Sequence, residues 1–293
     1  MKLFRFFLSI CVLIGALFSF HAGYGIDLSN GQNRFDIYWR NYKYMISSEI
    51  SLPRSLAVNE RYYVRSKVRE IILHKVSMDI ESMFVDNSRR IRDLLDTSSV
   101  FRREYPLFLD SLTIDSLIFR NNRVESSASL ALRGDNGLLR RLPLPWHILE
   151  YSTLTKPEYV GEAYEDDTVK YEYRAGVVPI AYTGIVIDLR GMKINKALAP
   201  RIFSQNGRLL YGPEFILKKI GAQRGLVGYV HKMDDAEIAL RAGIRPYFTV
   251  ALTTRGQYKT DVVLSREDTA KAMGHPETLT NILKCRVIFI IDG

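Results

Sequence analysis

Cysteine is almost missing from this 293-residue chain, which carries only Cys11 and Cys285. That scarcity excludes a disulfide framework and zinc sites built on paired thiolates. Histidine is nearly as sparse: His74, His147, His231 and His275 stand far apart after the first 25 residues, without paired ligand spacing. Glycine (19) and proline (10) are too few for a collagen-like or low-complexity scaffold. No apolar run after residue 20 reaches the ~20 residues that a membrane-spanning helix needs. No G-x-S-x-G elbow occurs, and the stretch from Gly221 to Gly225 has neither dinucleotide-fold nor Walker spacing. It reads instead as a helix end followed by a turn. These absences leave no catalytic, cofactor-binding or metal residue to nominate.

What is present is ordinary globular composition, 47% apolar and 25% charged. At roughly 150 residues per domain, the length suits one or two domains. Lys and Arg outnumber Asp and Glu by 41 to 32, a formal charge of +9. An excess of that size does not call for nucleic acid.

The first 25 residues form a three-part pattern. Lys2 and Arg5 precede an apolar run from residue 6 to residue 20, and small residues follow at Ala22, Gly23 and Gly25. This predicts a cleaved secretory signal peptide, and hence a periplasmic location with no membrane span after cleavage. Cys11 follows Leu8, Ser9 and Ile10 but is no lipidation site: Ile10 is too large, and the apolar run continues past it. Cleavage removes Cys11, so Cys285 stays alone within the apolar run 285–291, as a buried small side chain.

The rest divides by pattern into an N-terminal extension at 26–53, a helix-plus-hairpin domain at 54–149, an acidic connector at 150–176 and a mixed α/β domain at 177–293. The predicted class is α+β, a long N-terminal helix on a small antiparallel sheet followed by a C-terminal mixed α/β region. The extension is rich in Tyr and Asn with little periodicity. Val64, Val68, Ile71, Ile72, Val76, Ile80 and Met83 then recur every three or four residues, which predicts one long helix. Arg61, Arg65, Lys67, Arg69 and Lys75 fall off that stripe as a solvated face. A second helical stretch spans 89–95. Strands are predicted at 112–119 and 124–132, around a turn at Asn121 and Asn122. In the connector, Val169 to Tyr173 suits a strand.

In the last domain an apolar run covers 180–189. Strands at 201–203 and 209–211 flank Asn206 and Gly207, a hairpin signal. A helix is predicted at 214–220, a strand at 226–230, and a helix at 234–242 capped by Asp234. Strands follow at 247–254 and 261–264. Ser265 with Asp268 opens a helix ending near Gly274, and a central strand lies at 286–291.

Two weaker constellations remain. Asp188 and Asp292 end apolar strands, and if those strands are parallel neighbours the carboxylates converge as in acid–base catalysis. Trp39, Arg40, Tyr42, Lys43 and Tyr44 interleave aromatics with cations, as the surface of a ligand-binding module does.

The run YTGIVIDLRG at 182–191 resembles the T-G-[LI]-[IV]-[IV]-D-A-R-G segment of exported bacterial envelope proteins related to flagellar assembly protein T. It equally resembles the small outer-membrane lipoprotein family that includes flagellar basal-disk protein P. The likeness continues through ALAPRI at 197–202, Asn206 and Gly207, LYG at 210–212, Gly228 and Tyr229, DVVLS at 261–265 and LKCRV at 283–287. Leu189 stands where those families carry Ala. Residues 54–142 resemble them in layout only. The resemblance implies a non-enzymatic structural or assembly component of an envelope structure, the flagellar basal body included. Its expected partners are envelope or flagellar proteins or a second copy of the chain, with no nucleic acid and no cofactor. The alternatives are an envelope-polymer enzyme using Asp188 and Asp292, or a periplasmic ligand-binding module.

Overall fold

The computed structural model describes residues 31–52, 54–147, 180–233 and 235–293. The signal peptide at 1–25, the connector at 150–176 and its strand lie outside the described residues.

The first sheet begins where the sequence reading placed only an extension. β1 (Gly31–Tyr38) and β2 (Lys43–Ser51) form an antiparallel hairpin. β2 then pairs with β4 (Arg123–Ala131) and β4 with β3 (Thr113–Phe119), giving the order β1-β2-β4-β3. Tyr44, Ile46, Ser48 and Ile50 alternate into the interior. The serine on that inward face hides the alternation from a hydropathy reading.

α1 (Val58–Ser82) turns Val64, Val68, Ile72, Val76 and Ile80 inward, into one cluster with Ile46, Ile50, Val124 and Leu130. The Tyr44 hydroxyl donates to Asp79 Oδ2 at 2.6 Å and ties β2 to the helix. Glu60 opens α1, accepting from the Ala57 N–H at 2.8 Å and from Arg54, an anion placed on the positive end of the helix dipole. The basic face is engaged locally. Lys67 pairs with Glu70, Arg69 donates to the carbonyls of Asp110 and Leu112, and Arg61 lies over the Phe119 ring.

α2 (Ile91–Thr97) matches the short helix expected near 89–95, but α3 (Ser99–Leu109) was not foreseen. Pro106 sits inside α3 and breaks its helical signature, while Phe101, Tyr105 and Phe108 still bury one face. α4 (Leu138–Arg141) is a single turn.

The second region holds two sheets. β5 (Ile185–Asp188), β8 (Gly228–Val230), β9 (Tyr247–Val250) and β12 (Val287–Ile290) form an all-parallel sheet ordered β8-β12-β5-β9. β12 is central and buried along its length, as its unbroken apolar run requires. β6 (Ile202–Ser204), β7 (Leu209–Tyr211), β10 (Thr253–Arg255) and β11 (Asp261–Leu264) form the other, ordered β10-β11-β6-β7. The protein is α+β.

Three expectations shift. The run at 247–254 is two strands in different sheets. The helix expected at 214–220 is a 3-10 turn (Pro213–Phe215) followed by α5 (Lys218–Arg224), which passes through Gly221 and ends at Gly225, φ +72°. Gly221 is not a stop signal, because the Trp146 ring would lie 2.4 Å from a Cβ there. α6 (Ala236–Ala242) is capped by Asp235, which accepts from Glu237 N–H at 2.8 Å; Asp234 lies outside the described residues. Ser265 caps α7 (Arg266–Met273) as expected, and α8 (Pro276–Leu283) adds an unforeseen helix.

One buried cluster runs through both regions. Trp39 meets Tyr42 and Tyr229 edge-on at 5.6 and 5.3 Å, and the Tyr42 hydroxyl donates to Val227 O at 2.6 Å. The amides of Leu198 and Ala199 donate to the carbonyls of Phe84 and Val85.

Candidate functional site

Parallel pairing carries the ends of β5, β8 and β12 to one edge of the sheet. Asp188 registers with Ile290, so Asp188 and Asp292 end adjacent strands, as the convergence argument required. Both carboxylates turn onto the same tight turn. Arg190 grips Asp188 through its backbone N–H (3.0 Å), Nε (2.9 Å to Oδ1) and Nη2 (2.5 Å to Oδ2). Gly191, φ +78°, donates its N–H to Asp292 Oδ2 at 2.9 Å. The positive φ is the reason for glycine at this strand-to-turn junction. His231 Nδ1 meets the carbonyl of Asp292, not its carboxylate, at 3.0 Å.

The hydrogen bonds from Arg190 hold Asp188 below the usual carboxylate range, against a smaller opposing effect of burial. Asp188 is therefore an anion matched to a cation, unsuited to donating a proton near neutral pH. Among the described residues no group of His, Cys, Asp and Glu could hold a metal ion.

The other candidate surface dissolves into the core. Trp39, Tyr42 and Tyr44 are buried, leaving Tyr38 and Arg40 outside. Arg40 pairs with Asp235 and Glu237 at the cap of α6. Cys285 is a buried free thiol whose pKa is raised by burial.

Beside the strand-end cluster lies a surface that the sequence reading missed. Phe248 registers with Val186 and Val250 with Asp188, so both stand on the sheet face that α6 covers. α6 seals that face over β8, β12 and β5 through Ile238 and Ala242, which cluster with Val186, Val230, Ile288 and Ile290. β9 lies at the edge beyond it. Phe248, Val250 and Leu252 are 46%, 61% and 48% exposed there, with Leu240 at 75% and Ile244 at 94% on and just after the helix. The opposite face of the sheet, with Ile185, Ile187, Val287, Phe289 and Tyr247, faces the main core. Apolar residues on both faces of 247–252 were the available signal, and they read only as a strand.

The geometry defines an α+β module whose parallel sheet is covered except on one face of the edge strand β9. Residues 184–293 match the family model described as Treponema pallidum Tp0624, second domain. That match covers the second region and stops short of half the chain. No curated protein matches the sequence. Among the described residues no helix is long and apolar enough to cross a membrane.

Proposed function

We propose that this chain is a non-enzymatic assembly component of a bacterial cell envelope, exported to the periplasm, which docks an amphipathic helix of an envelope protein over β9. One observation carries the reading: Phe248 and Val250 stand exposed on the face of β9 that α6 leaves uncovered in an all-parallel sheet, with Leu252 exposed just past the strand. Parallel sheets are covered by helices on both faces almost without exception, and a contiguous exposed apolar patch marks an interaction site. The missing cover is a helix lying beside α6. Arg245, exposed at the start of the strip, favours an acidic residue on that helix. The motif likeness over 182–292 supports placement at the flagellar base.

Co-purification with isolated flagellar basal bodies tests the reading. The wild-type chain is expected in the basal-body fraction, and Val250→Glu is expected to leave it while keeping its Tm. A wild-type chain that stays in the soluble periplasm beside intact basal bodies removes the flagellar placement. Val250→Glu association at wild-type level removes the strip as the docking surface.

A second reading has one observation in its favour. Asp188 and Asp292 sit at the carboxyl edge of a parallel sheet, where α/β proteins bind ligands. It requires turnover of a purified envelope polymer that Asp188→Asn abolishes without unfolding the chain.

A further inference from the structure

Four arginines from distant stretches of the chain meet around the end of α5. Arg224 is the last residue of that helix. Arg241 on α6 is 3% exposed and crosses beneath it, donating from Nη1 to Arg224 O (2.9 Å), from Nη2 to Gly225 O (2.6 Å) and from Nε to Val287 O (2.9 Å). Arg286 immediately precedes Val287 and, among the described residues, reaches Thr183 O and Asn281 Oδ1. Arg133 is brought in by its neighbour, since Gly134 N–H donates to Ala222 O at 2.8 Å, two residues before Arg224.

Among the described residues, none of these four guanidinium groups forms an ion pair. The acceptors of Arg224, Arg241 and Arg286 are carbonyl oxygens. Arg224 Nε is buried with no hydrogen-bond partner, while Nη2 of the same side chain reaches Arg241 O at 3.4 Å. Burial first, then repulsion from Arg241, with Arg286 and Arg133 adding, hold Arg224 below its usual range. Buried positive charge without an anion is costly, and so is a buried N–H without an acceptor. Both deficits are relieved by one anionic group bearing several acceptor oxygens.

We infer that Arg133, Arg224 and Arg286, backed by Arg241, form a binding site for a phosphate group. Arg133, Arg224 and Arg286 are each half-buried residues, which leaves an approach from solvent, and the planar fork of arginine matches phosphate oxygens bidentately. Free phosphate carries between one and two negative charges at neutral pH and a phosphodiester carries one; the tetrahedral oxygens of either reach Arg224 Nε together with a neighbour, which the two oxygens of a planar carboxylate do less well. The site is independent of the β9 strip and of the docking it would support.

Isothermal titration of the purified chain with sodium phosphate, against sodium chloride at equal ionic strength, tests this. Co-sedimentation with phosphatidylglycerol vesicles, against phosphatidylcholine, separates free phosphate from a lipid headgroup. A saturable response to either phosphate source is expected, weakened about tenfold in Arg224→Gln and in Arg133→Gln and unchanged in Arg61→Gln on α1. Should Arg224→Gln fail to fold, Arg133→Gln decides alone. No response to either source overturns the site, as does a response of wild-type strength in the folded variants.

Discussion

Asn87 Nδ2 lies 2.5 Å from Asp261 Oδ2, joining the loop after α1 to β11 across 174 residues of sequence. Asp261 is fully buried and also accepts from the Arg201 N–H and the Thr260 hydroxyl. Around this contact, Asp86 accepts from Ser88 and Arg89 and lies 3.7 Å from Arg201 as an ion pair, while Tyr258 N–H donates to Asn87 O. The two regions are sealed here by polar groups, in contrast with the aromatic contact of Trp39 and Tyr229.

Burial lifts Asp261 from its ordinary 3.8 to about 6, against smaller opposing contributions led by the Arg201 N–H. A carboxyl whose pKa is raised on folding takes up its proton more readily in the folded state. Its contribution to stability is full below the unfolded pKa and is lost as pH rises from about 4 through 6. The loss is worth on the order of 2–3 kcal/mol. Asp86 and Asp268, both held low, act in the opposite direction, so the whole-protein profile mixes the two. Asp261→Asn isolates one of them, with Asn87 turning its amide oxygen to the new donor. Urea unfolding at pH 4.5 and pH 7 should show the variant losing less stability than wild type over that interval. Parallel pH profiles for the two chains would reject the assignment.

Gly225 and Gly191 both have positive φ, +72° and +78°, but only one is crowded. A Cβ at Gly225 would lie 2.4 Å from the buried Tyr42 ring, whereas one at Gly191 would meet nothing within 4 Å among the described residues. Gly191→Ala carries the conformational cost alone, about 1 kcal/mol. Gly225→Ala adds overpacking against a ring anchored to Val227 O, for a total of about 2–5 kcal/mol. Thermal unfolding should place Gly225→Ala well below Gly191→Ala. Equal Tm values would mean that Tyr42 moves aside at little cost.

These contacts mark where a sequence reading stops. The stripe of α1, the hairpin at Gly207, the Ser265 cap and the central position of β12 were legible, because each rests on periodicity or local turn chemistry. Ser48 and Tyr44 concealed the alternation of β2, and Pro106 concealed α3. Gly221 was misread because the Trp146 ring that requires a glycine there is 75 positions away. For the strand-end cluster, the residues were legible and their pairing was conditional on parallel neighbours. The β9 strip was illegible: whether Phe248 and Val250 are buried depends on how far α6 reaches, and no local pattern encodes that.

Arg241 satisfies three backbone carbonyls at the junction of α5, α6 and β12. Arg241→Met leaves those acceptors without donors, at a cost of about 3–5 kcal/mol. Arg241→Lys keeps the charge but lacks the fork that reaches three directions, so it should recover less than half of the loss in chemical denaturation. Full rescue by lysine would show that charge, not fork geometry, is what this position requires.

Asp188 and Arg190 offer the sharpest separation of the docking reading from the enzymatic one. Their ion pair is partly solvated, with the Arg190 side chain 43% exposed, so screening by solvent leaves it a small contribution to stability. Because Arg190 holds the Asp188 pKa down, that contribution is present at neutral pH and disappears as pH falls through the folded value. Asp188→Asn should therefore lower Tm by only a few degrees at pH 7, and by less at pH 3. If the turn serves to brace the strand ends beside a docking strip, Asp188→Asn should weaken basal-body association no more than it weakens the fold, while Val250→Glu abolishes association at unchanged Tm. Reversal of that order, with Asp188→Asn losing a measured turnover and Val250→Glu retaining it, would move the function from the β9 strip to the carboxylates.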